Sequence, residues 1–384
     1  MEHTMGNKIE FGTSDSGLVV PTVTRRGLLK GAGGAALFLA MGSPLLAACS
    51  RGGSSFAGSA TAVRSTTVSW LWGTHLIAGK RGYFAEQGID MDDVATQSGQ
   101  NEPILLAGEA DFLLSAPTGP IRATLAGQQI ILISAFVSTY ASNVVISGEA
   151  FERVGMSDDD SAEVKAAKLR GLRMATTGVG AAPDLLLRYI GVLGGLDPDR
   201  DMVLTPVQGG GPSMLAAVEA GQIDGFCLSS PTSDQGVADL GMRYVFDMSQ
   251  NPIPNLVGYP YIVTGVTPAL LEREPEKAVA YCEALQKAAN FIQAEPDAFK
   301  ADMLELFGDV DPAVFEISFN ANYPIYAKSL VPTQAQFEQA RDFTVLALEN
   351  ADAGDPDAAR ALKFEDVFDP SIAEQAARNV GSDY

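Results

Sequence analysis

The residues able to do acid–base, nucleophilic or metal chemistry are few in this chain and far apart. Its 384 residues hold three cysteines (Cys49, Cys227, Cys282) and two histidines (His3, His75). That excludes a disulfide scaffold and a zinc site built from several Cys and His. No Gly-x-Ser-x-Gly elbow is present, and Cys227 falls inside an apolar run that reads as a strand. Gly178-Val-Gly180 lacks the remaining glycine of a dinucleotide fingerprint. Asp158-Asp-Asp160 reads as a solvated helix start, not a metal site. No catalytic residue, metal or cofactor is therefore expected. What recurs is a set of polar, glycine-rich loops: 72–75, 98–101, 115–118, 138–143, 176–180, 208–213 and 229–232. None contains Asp, Glu, Lys or Arg, in a chain of which 19% is charged. Such loops recognise a ligand through hydroxyls, amides and backbone N–H groups. Where they open into helices, the free N–H groups suit an anion such as a sulfonate or carboxylate. A neutral or flat aromatic ligand is equally allowed, with Trp72 and Tyr140 available for stacking. The candidate binding residues are Trp72, Thr74, His75, Ser98, Ser115, Ala116, Tyr140, Asn143, Gln208 and Ser229. His75 could donate to an oxyanion or stack; the alternative is a satisfied helix-start histidine.

The elements that must position these loops come from an internal repeat. Ala107–Thr118 aligns with Ala220–Thr232 once Gly225 is allowed as an insertion, and Gly88-Ile-Asp90 meets Gly195-Leu-Asp197. Each copy reads helix, strand, glycine-rich loop, short helix, strand, polar loop. Pro103 and Pro212 stand near the starts of the short helices, and Gly108 and Gly221 just past their ends. The period is too long for a solenoid and indicates two similar α/β lobes. Strands are expected at 66–71, 89–94, 112–115, 129–135, 142–147, 172–176, 202–207, 226–229, 243–246 and 259–265, in largely parallel sheets. From residue 268 the pattern is helical only. Ala278, Cys282, Leu285, Ala289 and Ile292 share one face, and further helices are expected at 296–307, 312–320, 333–350 and 371–378.

The first residues read as an address. Arg25 and Arg26 precede an apolar stretch from Gly31 to Ala48, too weak for a spanning helix and suited to a twin-arginine export signal. The ending Leu46-Ala-Ala-Cys49 resembles a bacterial lipoprotein box, which implies that Cys49 becomes the lipid-bearing N-terminus. Ser/Gly/Ala-rich residues up to 65 fit a flexible tether. The organisation expected is 1–48 signal, 49–65 tether, 66–147 with 266–384 the first lobe, and 148–265 the second. Hinges are expected near 144–170 and 257–266. A net charge of −21 argues against nucleic acid, whose phosphates would be repelled.

Several motifs together resemble a known family. Arg81-Gly-Tyr-Phe-Ala-Glu-Gln-Gly-Ile-Asp-Met91, Leu105-Leu-Ala-Gly-Glu-Ala-Asp111, Lys168–Gly178 and Phe364-Glu-Asp-Val-Phe-Asp-Pro370 are similar, in order and spacing, to elements of solute-binding proteins of the nitrate/sulfonate/taurine and thiamin-pyrimidine type. The resemblance covers about residues 66–378. It implies a two-lobed type II periplasmic binding fold with the C-terminal helices packed on the first lobe. It also implies that Thr177, Gly178 and Val179 form the second-lobe binding turn. The function implied is capture of a small organic molecule between the lobes for an ABC importer. The protein would be a monomeric, exported lipoprotein on the outer face of a bacterial membrane, delivering to a permease and its ATPase. Two other readings use the same fold. A thiamin-pyrimidine-synthase-like enzyme would need a cysteine-rich loop that this chain lacks, and a ligand sensor for a membrane receptor would use the same cleft.

Overall fold

Among the described residues, segments punctuated by glycine and proline build ten strands: β1 (Gly58–Ser65), β2 (Ile89–Thr96), β3 (Phe112–Ser115), β4 (Ile131–Thr139), β5 (Asn143–Ile146), β6 (Arg173–Thr176), β7 (Val203–Pro206), β8 (Gly225–Leu228), β9 (Arg243–Phe246) and β10 (Val257–Val266). The computed structural model describes residues 56–65, 69–97, 99–351 and 354–382. The arginine pair, Cys49 and Ser98 lie outside these residues.

The strands form two five-stranded sheets with one topology, β2-β1-β3-β10-β4 and β7-β6-β8-β5-β9. In each, the first three strands run parallel and the fourth is antiparallel to both neighbours. The repeat is thus a repeat of topology, with β1, β2 and β3 answering to β6, β7 and β8. Each antiparallel strand is lent by the other half of the chain: β5 precedes the second half and pairs with β8, and β10 follows it and returns beside β3. The sheets are accordingly mixed where parallel ones were expected. β5 belongs to the second sheet and β10 to the first, so the chain crosses at residues 140–142 and 247–256 and not at the expected hinge positions. The two crossings lie just outside the strands themselves, because each run of β5 and β10 is committed to a ladder.

Two further expectations shift at the start of the domain. Residues 58–65, read as tether from their small side chains, are β1, whose Ala60, Ala62 and Val63 are buried beneath the first sheet. Of the strand expected at 66–71, the described end is instead a 3₁₀ turn at Trp70–Trp72, capped by Ser69, whose Oγ accepts from Leu71 N, and 66–68 lie outside the described residues. Indole-rich hydrophobicity at 70–72 is satisfied by burial in a turn as well as in a strand.

The C-terminal helices follow the expected positions closely, and the longest, Pro275–Ala294, buries Ala278, Cys282, Leu285, Ala289 and Ile292. It packs on the first-lobe helices Gly73–Lys80 and Tyr83–Glu86 and on the terminal helix Ser371–Val380. The packing is not confined to the first lobe. Helix Pro312–Asn322 meets the second-lobe helix Thr232–Leu240, where the Ser318 and Tyr244 hydroxyls both donate to the buried Asp234 carboxyl. Gln334–Ala351 contacts both β10 and the second-lobe helix Ala182–Leu193. Burial pushes the thiols of Cys227 and Cys282 up, that of Cys282 to about 12, so neither is a reactive thiolate.

Close approach in the second sheet makes one glycine structurally necessary. A Cβ on Gly225 would lie 2.3 Å from the Val145 carbonyl oxygen and 2.7 Å from Ile146 Cγ2. Both belong to the partner strand β5, which cannot yield without breaking its ladder. Gly225→Ala should cost about 1–3 kcal/mol, read as a lower urea midpoint with unchanged slope.

Candidate functional site

In open α/β sheets, ligands sit beyond the carboxyl ends of the parallel strands. Here β1 ends at Ser65, β3 at Ser115, β6 at Thr176 and β8 at Leu228, and the loops that follow converge on one cavity of about 640 Å³. Its polar surface comes from Ser69, Ser115, Thr118, Ser142, Thr177 and Ser229, and its apolar surface includes Leu71, Trp72, Leu114, Tyr261 and Ile262. The lobes touch at its floor: Ser69 Oγ lies 2.8 Å from Ser229 Oγ, with both residues buried. Two first-lobe tyrosines anchor neighbouring hydroxyls, with Tyr259 OH 3.1 Å from Thr118 Oγ1 and Tyr261 OH 2.5 Å from Ser142 Oγ.

The second-lobe turn at 177–180 is held from behind. Gly180 N donates to Asp184 Oδ2 at 2.9 Å, and Arg188 Nε donates to the same oxygen at 3.0 Å. Asp184 is buried in the first turn of the helix Ala182–Leu193, where a carboxylate is favoured. It therefore fixes the turn without entering the cavity.

Trp72, Ser115, Ala116, Thr177, Gly178, Val179 and Ser229 all line the cavity. Five other candidates do not, each for an identifiable reason. His75 is drawn into the first-lobe core: its Nδ1 is 3.0 Å from Tyr281 OH, its Nε2 is 3.5 Å from Asp93 Oδ1, and its ring packs on Phe84. Burial works to raise the Asp93 carboxyl, but hydrogen bonds from His75 and Arg64 outweigh it and hold that group at about 2. Thr74 is buried in the same helix as His75. Tyr140 is buried against Tyr259, Tyr261 and Phe343, and its hydroxyl donates to the Ala182 carbonyl at 2.6 Å. It is a pin at the crossing between lobes, not a stacking platform. The Asn143 amide serves the same crossing, donating to Ser233 Oγ and accepting from Ser249 N. Gln208 is exposed after β7, outside the cavity lining.

Charge enters the cavity from helix bodies, which the uncharged loops concealed. Glu102, in the first turn of the helix Asn101–Leu106, and Arg122, in the helix Thr118–Leu125, both line it. Burial pushes the Glu102 carboxyl up, while a backbone hydrogen bond and the Arg122 charge pull the other way. The spacing carried a signal for Arg122: it stands four residues after Thr118, on the same helical face as a cavity-facing loop. Leu348, Asp355 and Ala358 also reach the rim from the C-terminal region. Asp355 is occupied as a helix cap, accepting from Asp357 N and Ala358 N.

A family model for the NMT1-like family matches residues 70–308. The chain belongs to this family. Among curated relatives it is 25% identical over 245 residues to the nitrate/nitrite binding protein NrtA of Nostoc sp., covering 60% of this chain and 49% of that one. It is 30% identical over 221 residues to the nitrate import ATP-binding protein NrtC of Synechococcus elongatus, covering 56% of this chain and 32% of that one. The chain thus spans half or less of the length of these relatives. Among solved structures, a protein from Bordetella bronchiseptica RB50 superposes with a TM-score of 0.71 at 18% identity, covering 84% of this chain and 98% of that one. The periplasmic nitrate-binding protein NrtA from Synechocystis PCC 6803 does so with 0.62 at 15% identity, covering 84% and 89%. The alkanesulfonate-binding protein SsuA from Xanthomonas axonopodis pv. citri, bound to MOPS, does so with 0.61 at 16% identity, covering 77% and 93%. At these identities the structural likeness establishes the fold: the two-lobed α/β architecture of periplasmic binding proteins, as the sequence resemblance implied.

The Tyr140 hydroxyl joins the crossing segment to the helix that carries the second-lobe turn. Tyr140→Phe should cost about 0.5–1.5 kcal/mol, read by thermal unfolding.

Proposed function

We propose that this NMT1-like protein is an extracytoplasmic solute-binding protein of an ABC importer and captures a small organic molecule between its two lobes. The observation that carries this reading is the cavity of about 640 Å³ at the strand ends of both sheets, with Ser69 and Ser229 meeting at its floor. Volumes of about 300–1,000 Å³ with an apolar lining and a few convergent polar groups are those of small-molecule sites. The nitrate-import and sulfonate-binding relatives support a transport role, and the ATP-binding relative supports an ATPase as partner.

The remaining polar groups of the cavity suit binding better than turnover. The Thr118 and Ser142 hydroxyls pair with tyrosines, Ser69 and Ser229 pair with each other, the described cysteines are buried thiols, and His75 is engaged in the core. Among the described residues no cluster of His, Cys, Asp and Glu could hold a metal ion, and no helix is long and apolar enough to cross a membrane. Export through the twin-arginine signal and acylation at Cys49 would place the protein on the outer face of the membrane. Several acyl chains would hold it there firmly. Closure is a hinge motion about the crossings at 140–142 and 247–256.

The test combines two variants. Ser229→Trp fills the floor of the cavity and should abolish the stabilisation that the bound solute gives by mass action, measured by thermal shift against sulfonates, aromatic carboxylates and pyrimidines. Cys49→Ser should abolish incorporation of radiolabelled palmitate and release the protein from membranes. A wild-type protein unmoved by every solute, with no small molecule carried through native mass spectrometry, would refute the binding reading.

A further inference from the structure

Three charged side chains line the cavity; Asp355 is engaged as a helix cap, and the other two, Glu102 and Arg122, define the ligand more narrowly than the loops do. Glu102 and Arg122 come from consecutive helices of the first lobe and both line the space. A Cβ on Gly119 would fall 2.2 Å from Glu102 Oε1, so the carboxylate lies directly over the first turn of the helix that bears Arg122. A Cβ on Gly180 would fall 2.9 Å from Arg122 Nη1, so the guanidinium reaches across to the second-lobe turn. Both charged ends thus lie close against glycine backbone, Glu102 over Gly119 and Arg122 over Gly180. Yet among the described residues no ion pair or side-chain hydrogen bond satisfies the Arg122 guanidinium, although Arg64, Arg153, Arg173, Arg188 and Arg360 are all ion-paired. Among the described residues the Glu102 carboxylate likewise forms no ion pair, and Arg122 acts on it through space.

We propose that Glu102 and Arg122 select a zwitterionic organic solute, its acidic group on Arg122, its N–H donor on Glu102, and its apolar body against Trp72 and Tyr261. This rests on the binding-protein reading. The selection is by mismatch as much as by attraction. A bare anion gains Arg122 but meets the like charge of Glu102, and a bare cation meets the reverse. A molecule bearing both signs leaves the pair compensated. Size points the same way, since an inorganic oxyanion such as nitrate would occupy a small part of about 640 Å³. The guanidinium, planar and always charged, suits a carboxylate or sulfonate.

The test is calorimetry on the full-length protein, unfolded and refolded to strip carried solute, with three para-substituted aromatic probes: 4-(aminomethyl)benzoate, 4-methylbenzoate and 4-methylbenzylamine. The zwitterion should bind at least about tenfold tighter than either singly charged probe. Glu102→Gln should bring 4-(aminomethyl)benzoate down to the level of 4-methylbenzoate, and Arg122→Gln should weaken both acids together. Native-like thermal unfolding of each variant shows that it folds, and the wild-type preference stands as a readout independent of the variants. Equal binding of the three probes, or no binding of any, overturns the proposal. Binding without the charge preference leaves the solute-binding reading intact. Silence toward the probes together with no carried small molecule in native mass spectrometry removes both.

Discussion

Two antiparallel ladders hold this molecule in its form. β10 pairs with β3, setting Val263 opposite Ser115, and β5 pairs with β8, setting Asn143 opposite Leu228. Each ladder joins a strand of one half of the chain to the sheet of the other. The exchange fixes where β3 and β8 end, and their ends are where Ser115 and Ser229 stand. A slip of one residue in either ladder would turn every side chain of the strand to the other face. Both strands are buried, so such a slip is strongly opposed.

From that exchange the site follows. The crossings at 140–142 and 247–256 are short and tightly bonded: Tyr140 to the Ala182 carbonyl, Ser142 to Tyr261, Asn143 to Ser233 and Ser249. These bonds absorb polar groups that would otherwise be unsatisfied in a buried junction. They leave the cavity itself to serine and threonine hydroxyls, aromatic rings and the charges of Glu102 and Arg122, with the capping Asp355 at its rim.

Much of this was legible in the sequence, and the reasons are local. Short apolar runs such as Phe112-Leu-Leu, bounded by Gly108 and Pro117, announce a buried strand without any knowledge of its partners. The same holds for the helix carrying Ala278 and Cys282, whose apolar periodicity from Ala278 to Ile292 spans about four turns. The repeat located two of the polar loops at strand ends, and Ser115 and Ser229 line the cavity accordingly. What stayed hidden depends on distant partners. The exchange of β5 and β10 is not written in either strand alone. His75 drew attention by rarity, but Tyr281, 206 residues away, claims its ring. A charge on a helix ordinarily faces solvent, so Glu102 gives no signal and Arg122 only its spacing from Thr118; the packing of two helices turns both inward. The rim contributed by Leu348 and Ala358 is likewise a product of the chain's return at its far end.

The account stands on the lobes meeting at Ser69 and Ser229, and a paired cysteine substitution tests that meeting directly. With hydroxyls 2.8 Å apart, the double variant S69C/S229C should form an intramolecular disulfide under mild oxidation, since a bridge needs side chains that face one another across a few ångströms. Mass spectrometry of the peptides should find the two residues linked, with Cys227 and Cys282 still reduced. If both new thiols instead remained freely alkylated after oxidation, with or without solute, the lobes would not close at this floor and the cavity described here would not be the site of capture.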